Sequence, residues 1–160
     1  MIRRLFPILC LPIFCLIVLA VPAWAKDYTL GSLKIHQPWT RATPPTAPAG
    51  GGFLTITNTG TTPDRLIAAQ SPAANKVEIH EMTMDGSVMR MRELEKGLEI
   101  PPGATVALKP GGLHIMFMGL KAPFNRDKPV SATLVFEKAG KIDIELAVEP
   151  MGAAQPGHKM

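Results

Sequence analysis

The chain has only two cysteines, Cys10 and Cys15, and both lie in an N-terminal segment that reads as removed on export. Taking residues 1–25 from the 160 leaves 135 with no cysteine at all. That excludes disulfides, thiolate–metal sites and a cysteine nucleophile. It also excludes a copper centre of the blue electron-transfer type, which needs a thiolate. Lysine and arginine occur in no run longer than a pair, so there is no basic patch for nucleic acid. There is no nucleophile triad, no paired carboxylates in a cleft-like setting and no Gly-rich phosphate loop. No segment keeps a long helical period.

The first 25 residues have the layout of a secretory signal. Arg3 and Arg4 are followed by an uncharged apolar run from Leu5 to Val21, and Ala23-Trp24-Ala25 puts small residues at the −3 and −1 places. Cleavage is expected before Lys26. A retained anchor is the rival, but the run falls short of the ~20 residues of a spanning helix. Neither cysteine is preceded by the small residues of a lipidation site. Arg3-Arg4-Leu5-Phe6 faintly echoes a twin-arginine signal, yet Pro7 and the strongly apolar run fit ordinary secretion better. Removing Arg3 and Arg4 lowers the net charge from +4 to +2.

The body reads as one all-β domain over 26–150, with 151–160 as a flexible tail. Strands are expected at Leu33–Trp39, Phe53–Thr57, Arg65–Ala69, Lys76–Met84, Ser87–Arg92, Leu98–Ile100, Thr105–Leu108, Gly112–Met118, Val130–Phe136 and Ile142–Val148. Turns such as Asn58-Thr59-Gly60 and Pro101-Pro102-Gly103 separate them. The Pro/Gly/Ala-rich stretch 41–52 is expected to be irregular. Short strands at this spacing suggest a β-sandwich or small barrel.

Three of the four histidines precede a methionine by two positions: His80-Glu81-Met82, His114-Ile115-Met116 and His158-Lys159-Met160. Imidazole and thioether together suit a soft ion, above all Cu(I). In an oxidising compartment thioethers withstand copper better than thiols do. Asp85-Gly86 predicts a two-residue type I′ turn. In that register His80 faces Met91, Met82 faces Met89, and Glu81 faces Arg90 on the other side. Along Leu113–Met118, strand alternation sends His114, Met116 and Met118 one way and Leu113, Ile115 and Phe117 toward a core. The hairpin and this strand, each offering one histidine and one methionine, give a four-donor site: His80, Met91, His114 and Met116. Met84, Met89 and Met118 are assigned to packing, methionine's commonest use. His36 is expected at the surface, and His158 and Met160 on the tail have an open role.

The spacing from His80 through ten residues to Met91, then twenty-two to His114-Ile115-Met116, resembles the signature of the PCuAC family of periplasmic copper chaperones. Val88-Met89-Arg90-Met91-Arg92, the run from Leu108 to Leu120 and Trp39-Thr40-Arg41-Ala42-Thr43-Pro44-Pro45 are similar to the family's wording too. The resemblance spans Tyr28 to Val148. It implies a cupredoxin-like Greek-key β-sandwich, a monomer working in the periplasm, and Cu(I) held by His80, Met91, His114 and Met116. It implies delivery of copper to the copper-bearing subunit of cytochrome c oxidase, often beside Sco-type copper proteins.

Three other readings compete. A copper oxidase or monooxygenase would need an open coordination position, and cleavage leaves Lys26 rather than a histidine at the N-terminus. A metal-free β-sandwich binding module explains the fold but not the donor spacing. Copper sequestration for tolerance uses the same site and differs only in whether a partner receives the ion. Histidine must be neutral to bind, so Cu(I) affinity is expected to fall below about pH 6.5.

Overall fold

The computed structural model describes residues 26–157. Residues 1–25, expected to be a signal segment, and His158 and Met160 lie outside the described residues. Eleven strands follow in chain order: β1 Tyr28–Leu30, β2 Leu33–Arg41, β3 Ala49–Asn58, β4 Asp64–Gln70, β5 Ala74–Asp85, β6 Val88–Glu93, β7 Leu98–Ile100, β8 Thr105–Leu108, β9 His114–Leu120, β10 Val130–Phe136 and β11 Gly140–Glu149. No helix occurs among the described residues.

The strands form two layers of a β-sandwich. One runs β6-β5-β9-β3-β2 and ends on the last residues of β11; the other continues β11-β10-β4-β7. β11 belongs to both. Residues up to Leu146 pair antiparallel with β10, and Ala147–Glu149 lie parallel to β2. Alternating residues from both layers close the core: Leu33, Ile35, Leu54, Ile56, Ile115 and Phe117 from the first, and Leu66, Ile100, Leu134 and Ile144 from the second. Asn58, fully buried, ties the layers by donating from Nδ2 to the carbonyls of Ile100 (3.1 Å) and Thr62 (2.9 Å).

Two expectations change. The stretch 41–52 is not irregular throughout, because β3 begins at Ala49 and pairs Ala49–Gly52 with β9. Glycine is required there for space. A Cβ at Gly52 would lie 2.8 Å from Phe117 Cε2, one at Gly50 2.9 Å from Phe124 Cε2, and one at Gly51 3.0 Å from Phe53 Cζ. Aromatic rings take the positions that side chains would fill. Residues 151–157 are not a free tail either. Ala153 is buried against Trp39 and Phe53, and its carbonyl accepts a 2.7 Å hydrogen bond from Arg41 Nε.

Candidate metal centre

The hairpin of β5 and β6 turns one residue later than expected. Its central residues are Gly86 and Ser87, and Asp85 pairs with Val88. Gly86 has φ +63°, whereas Ser87 is not among the residues with positive φ. That excludes type I′, which needs two positive φ values, and fits a II′ turn with glycine first. Asp85 stays in the strand, where its carboxylate accepts from Arg90 Nε at 2.8 Å.

This shift corrects the predicted pairing. His80 opposes Glu93, not Met91; Met91 opposes Met82, and Met84 opposes Met89. Glu81 takes Arg92 (2.7 Å), not Arg90. A slip of two positions preserves the face. Met91 therefore remains on the His80 face, one diagonal step away, and it is 47% exposed.

On the other side of β5 stands β9. His80 is directly opposite His114, with ring centroids 5.8 Å apart at 71°. Met116, half-buried, lies two residues along β9 on the same face, between Glu78 of β5 and Gly51 of β3. Above Gly51 lies the Phe53 ring, 3.0 Å from where a Cβ would stand, so that ring packs over the Met116 side of the row. The four predicted donors thus share one outer face of the first layer, with the two histidines as its centre and a methionine diagonal to His80 on either neighbouring strand.

Each histidine has one nitrogen engaged and one left over. His80 Nε2–H donates to the buried Glu78 carboxylate at 2.6 Å, and its Nδ1 is buried with no hydrogen-bond partner. A buried polar nitrogen without a partner is rare, and a bound ion is one of the things that would account for it. His114 Nδ1–H donates to the Gly112 carbonyl at 3.0 Å, leaving Nε2 unshared. Gly112 also accepts from the Met82 backbone N–H, which binds the loop before β9 to β5. Engaging one ring nitrogen fixes the tautomer and leaves the other's lone pair free, the usual support of a metal-binding histidine.

Glu78 was not singled out in the sequence. Its signal was present: Glu78-Ile79-His80 alternates, so the carboxylate shares the histidine's face. Lys76 and His80 each hydrogen-bond to it, in that order of effect, and hold its carboxyl below the ordinary 4.5. Burial pushes His114 below the ordinary 6.5, opposed by the Gly112 hydrogen bond and helped by the neighbouring His80. His36 is apart from this face, half-exposed and paired with Asp27 at 3.0 Å. The assignment of Met84 and Met89 to packing is overturned, since they are 63% and 56% exposed.

Among the described residues, no three His, Cys, Asp or Glu side chains gather to hold a metal. A surface hollow of about 370 Å³, between Pro72 and residues 121–131, is lined by none of these donors.

The sequence profile of the family described as putative lipoprotein LpqE-like matches residues 33–148. The chain belongs to the LpqE-like family. A putative lipoprotein of that kind, Lxx21020 from Leifsonia xyli subsp. xyli (strain CTCB07), is 30% identical over 149 residues, spanning 91% of this chain and 86% of the relative. Among solved structures, the copper-bound PCuAC domain of PmoF2 is 29% identical with a TM-score of 0.66, covering 78% of this chain and 98% of that domain. The apo PCuAC domain of PmoF1 gives 28% and 0.67, covering 78% and 99%. The Cu(I) form of DR1885 from Deinococcus radiodurans, at 24% identity and 0.61 over 82% and 85%, shares the fold. The resemblance to PCuAC domains read from the motifs is thus matched by the β-sandwich as a whole.

Proposed function

We propose that this LpqE-like protein is an exported copper chaperone that binds one Cu(I) through His80 Nδ1, His114 Nε2 and the thioethers of Met91 and Met116. The observation that carries this reading is the direct opposition of His80 and His114, each with one unshared nitrogen aimed from a tautomer that Glu78 or Gly112 fixes. The copper held by the similar PmoF2 domain supports the choice of ion.

Two imidazoles and two thioethers are neutral, so the bound ion keeps its single positive charge. Soft donors favour Cu(I) over Cu(II), and the lack of thiolate or a carboxylate ligand disfavours Zn(II). The histidines are buried while Met91 is exposed and Met116 half-buried. That asymmetry supports delivery over storage. An acceptor can replace the outer thioethers one at a time while the histidines still hold the ion. Four protein donors leave no open position for oxygen chemistry, so the role is carriage and not catalysis. The acceptor we propose is the copper-bearing subunit of cytochrome c oxidase, directly or through a Sco-type protein, in the periplasm.

Anaerobic titration of the mature protein with Cu(I) against a competing chelator tests the site. One tight equivalent is expected, strongly weakened in His114→Ala and weakened in Met116→Leu. A parent protein that binds no Cu(I) refutes the reading. Mixing the loaded protein with the soluble copper domain of the oxidase subunit then tests delivery, and copper that never leaves the chaperone points to sequestration.

A further inference from the structure

The same outer face continues past the histidines to the hairpin tip, and it is paved with sulfur. Met82 opposes Met91, and Met84 opposes Met89, so two thioether rungs stand in line with His80. The reverse face of the hairpin is charged and ion-paired, with Arg90 on Asp85 and Arg92 on Glu81. The hairpin is therefore sorted by face. One side is neutralised charge; the other offers four methionines, three of them more than 45% exposed. Side chains so exposed fill no core.

We propose that Met82, Met84 and Met89, together with Met91 when it is not engaged at the histidines, form a second, weaker Cu(I) site that receives the ion and passes it inward. The proposal builds on the two-histidine site as its destination. Opposed Cβ atoms lie ~5 Å apart and same-face neighbours along a strand ~6.8 Å apart. Rotation about each methionine's first two side-chain bonds can bring sulfur from all four corners of such a rectangle to one ion between them, and the third turns the methyl aside. Thioethers alone select a soft monovalent ion and reject Zn(II). Because Met91 lies on the inner rung and diagonal to His80, it can leave the ladder with the ion and enter the histidine site without dissociating. Copper then moves from tip to histidines by exchange of one ligand at a time.

The two sites differ in donors, and that separates them experimentally. The mature protein is titrated anaerobically with Cu(I), alongside a Met82→Leu/Met84→Leu/Met89→Leu variant and a His80→Ala/His114→Ala variant, with copper K-edge absorption on each loaded form. Leucine keeps the volume of these partly or fully exposed side chains, and thermal melts confirm that each variant folds. The parent is expected to take two equivalents. The triple variant is expected to lose the second, by about tenfold or more in affinity, while keeping the first. The double-histidine variant is expected to keep one weak equivalent with a sulfur-only shell. A second equivalent that survives the triple substitution, or a folded double-histidine variant that binds no Cu(I), overturns the ladder and leaves the histidine site standing. A parent in which every copper has a sulfur-only shell upholds the ladder and overturns the histidine site.

Discussion

His80 and His114 face each other across β5 and β9 with their rings 5.8 Å apart, although 33 residues separate them in the chain. Each ring is held by a hydrogen bond on one nitrogen and is unshared on the other. In the proposed site the pair serves as a two-nitrogen clamp already in place in this structure.

Glu78 selects which nitrogen His80 offers. Replacing it with leucine removes the acceptor that keeps the proton on Nε2. Long-range ¹⁵N–¹H NMR of the apo parent should show His80 protonated at Nε2, and Glu78→Leu should show a mixture of tautomers. Cu(I) affinity should fall about 10–100-fold, the usual effect of losing such support. A variant with unchanged tautomer and affinity removes Glu78 from the account.

His114 should titrate below the ordinary histidine value of 6.5, because burial disfavours its charged form. The unfolded chain then binds the proton more readily than the folded one between the lowered pKa and about 6.5. The stability contributed by this group is full above about pH 6.5 and is lost as pH falls through the lowered pKa. Glu78, also lowered, contributes stability that is present above its unfolded value of 4.5 and lost on further acidification. NMR titration of the His114 ring carbons checks the first. A midpoint at or above 6.5 contradicts it.

Met91→Leu should separate binding from folding. The residue is exposed on an edge strand, so its replacement should change stability by no more than about 0.5 kcal/mol. Cu(I) affinity should nevertheless drop by about tenfold or more, as one soft donor is lost. Denaturant unfolding and chelator competition on the same sample measure both.

Gly52→Ala should do the reverse. Its added Cβ would lie 2.8 Å from Phe117 Cε2 and 3.0 Å from Leu146 Cδ2, inside the core. Overpacking of that kind costs about 1–3 kcal/mol. The midpoint of urea unfolding should fall while the Cu(I) stoichiometry of the folded protein stays at the parental value.

Local chemistry in the sequence carries most of the fold. Turn residues bracket the strands, and the alternation of Leu113–Met118 separates His114 and Met116 from Ile115 and Phe117, as the structure has it. What was not legible is non-local. Nothing near His80 tells that β9 will lie beside β5 with His114 opposite, since that pairing is set by the packing of Ile79 and Ile115 into the core. The sequence places the hairpin turn one residue early because Asp85-Gly86 and Gly86-Ser87 both offer a glycine turn, and only the backbone of Ser87 decides between them. Glu78 was overlooked because a lone carboxylate next to a lysine two residues away reads as a solvated ion pair. Here it is buried, and it serves a histidine as well.

We predict that one Cu(I) sits between His80, His114, Met91 and Met116. Extended X-ray absorption at the copper edge of the one-to-one complex tests it most directly. The predicted shell is two imidazole nitrogens and two thioether sulfurs, losing one sulfur in Met116→Leu and one imidazole in His114→Ala. A shell without imidazole, or one that neither substitution alters, would contradict it.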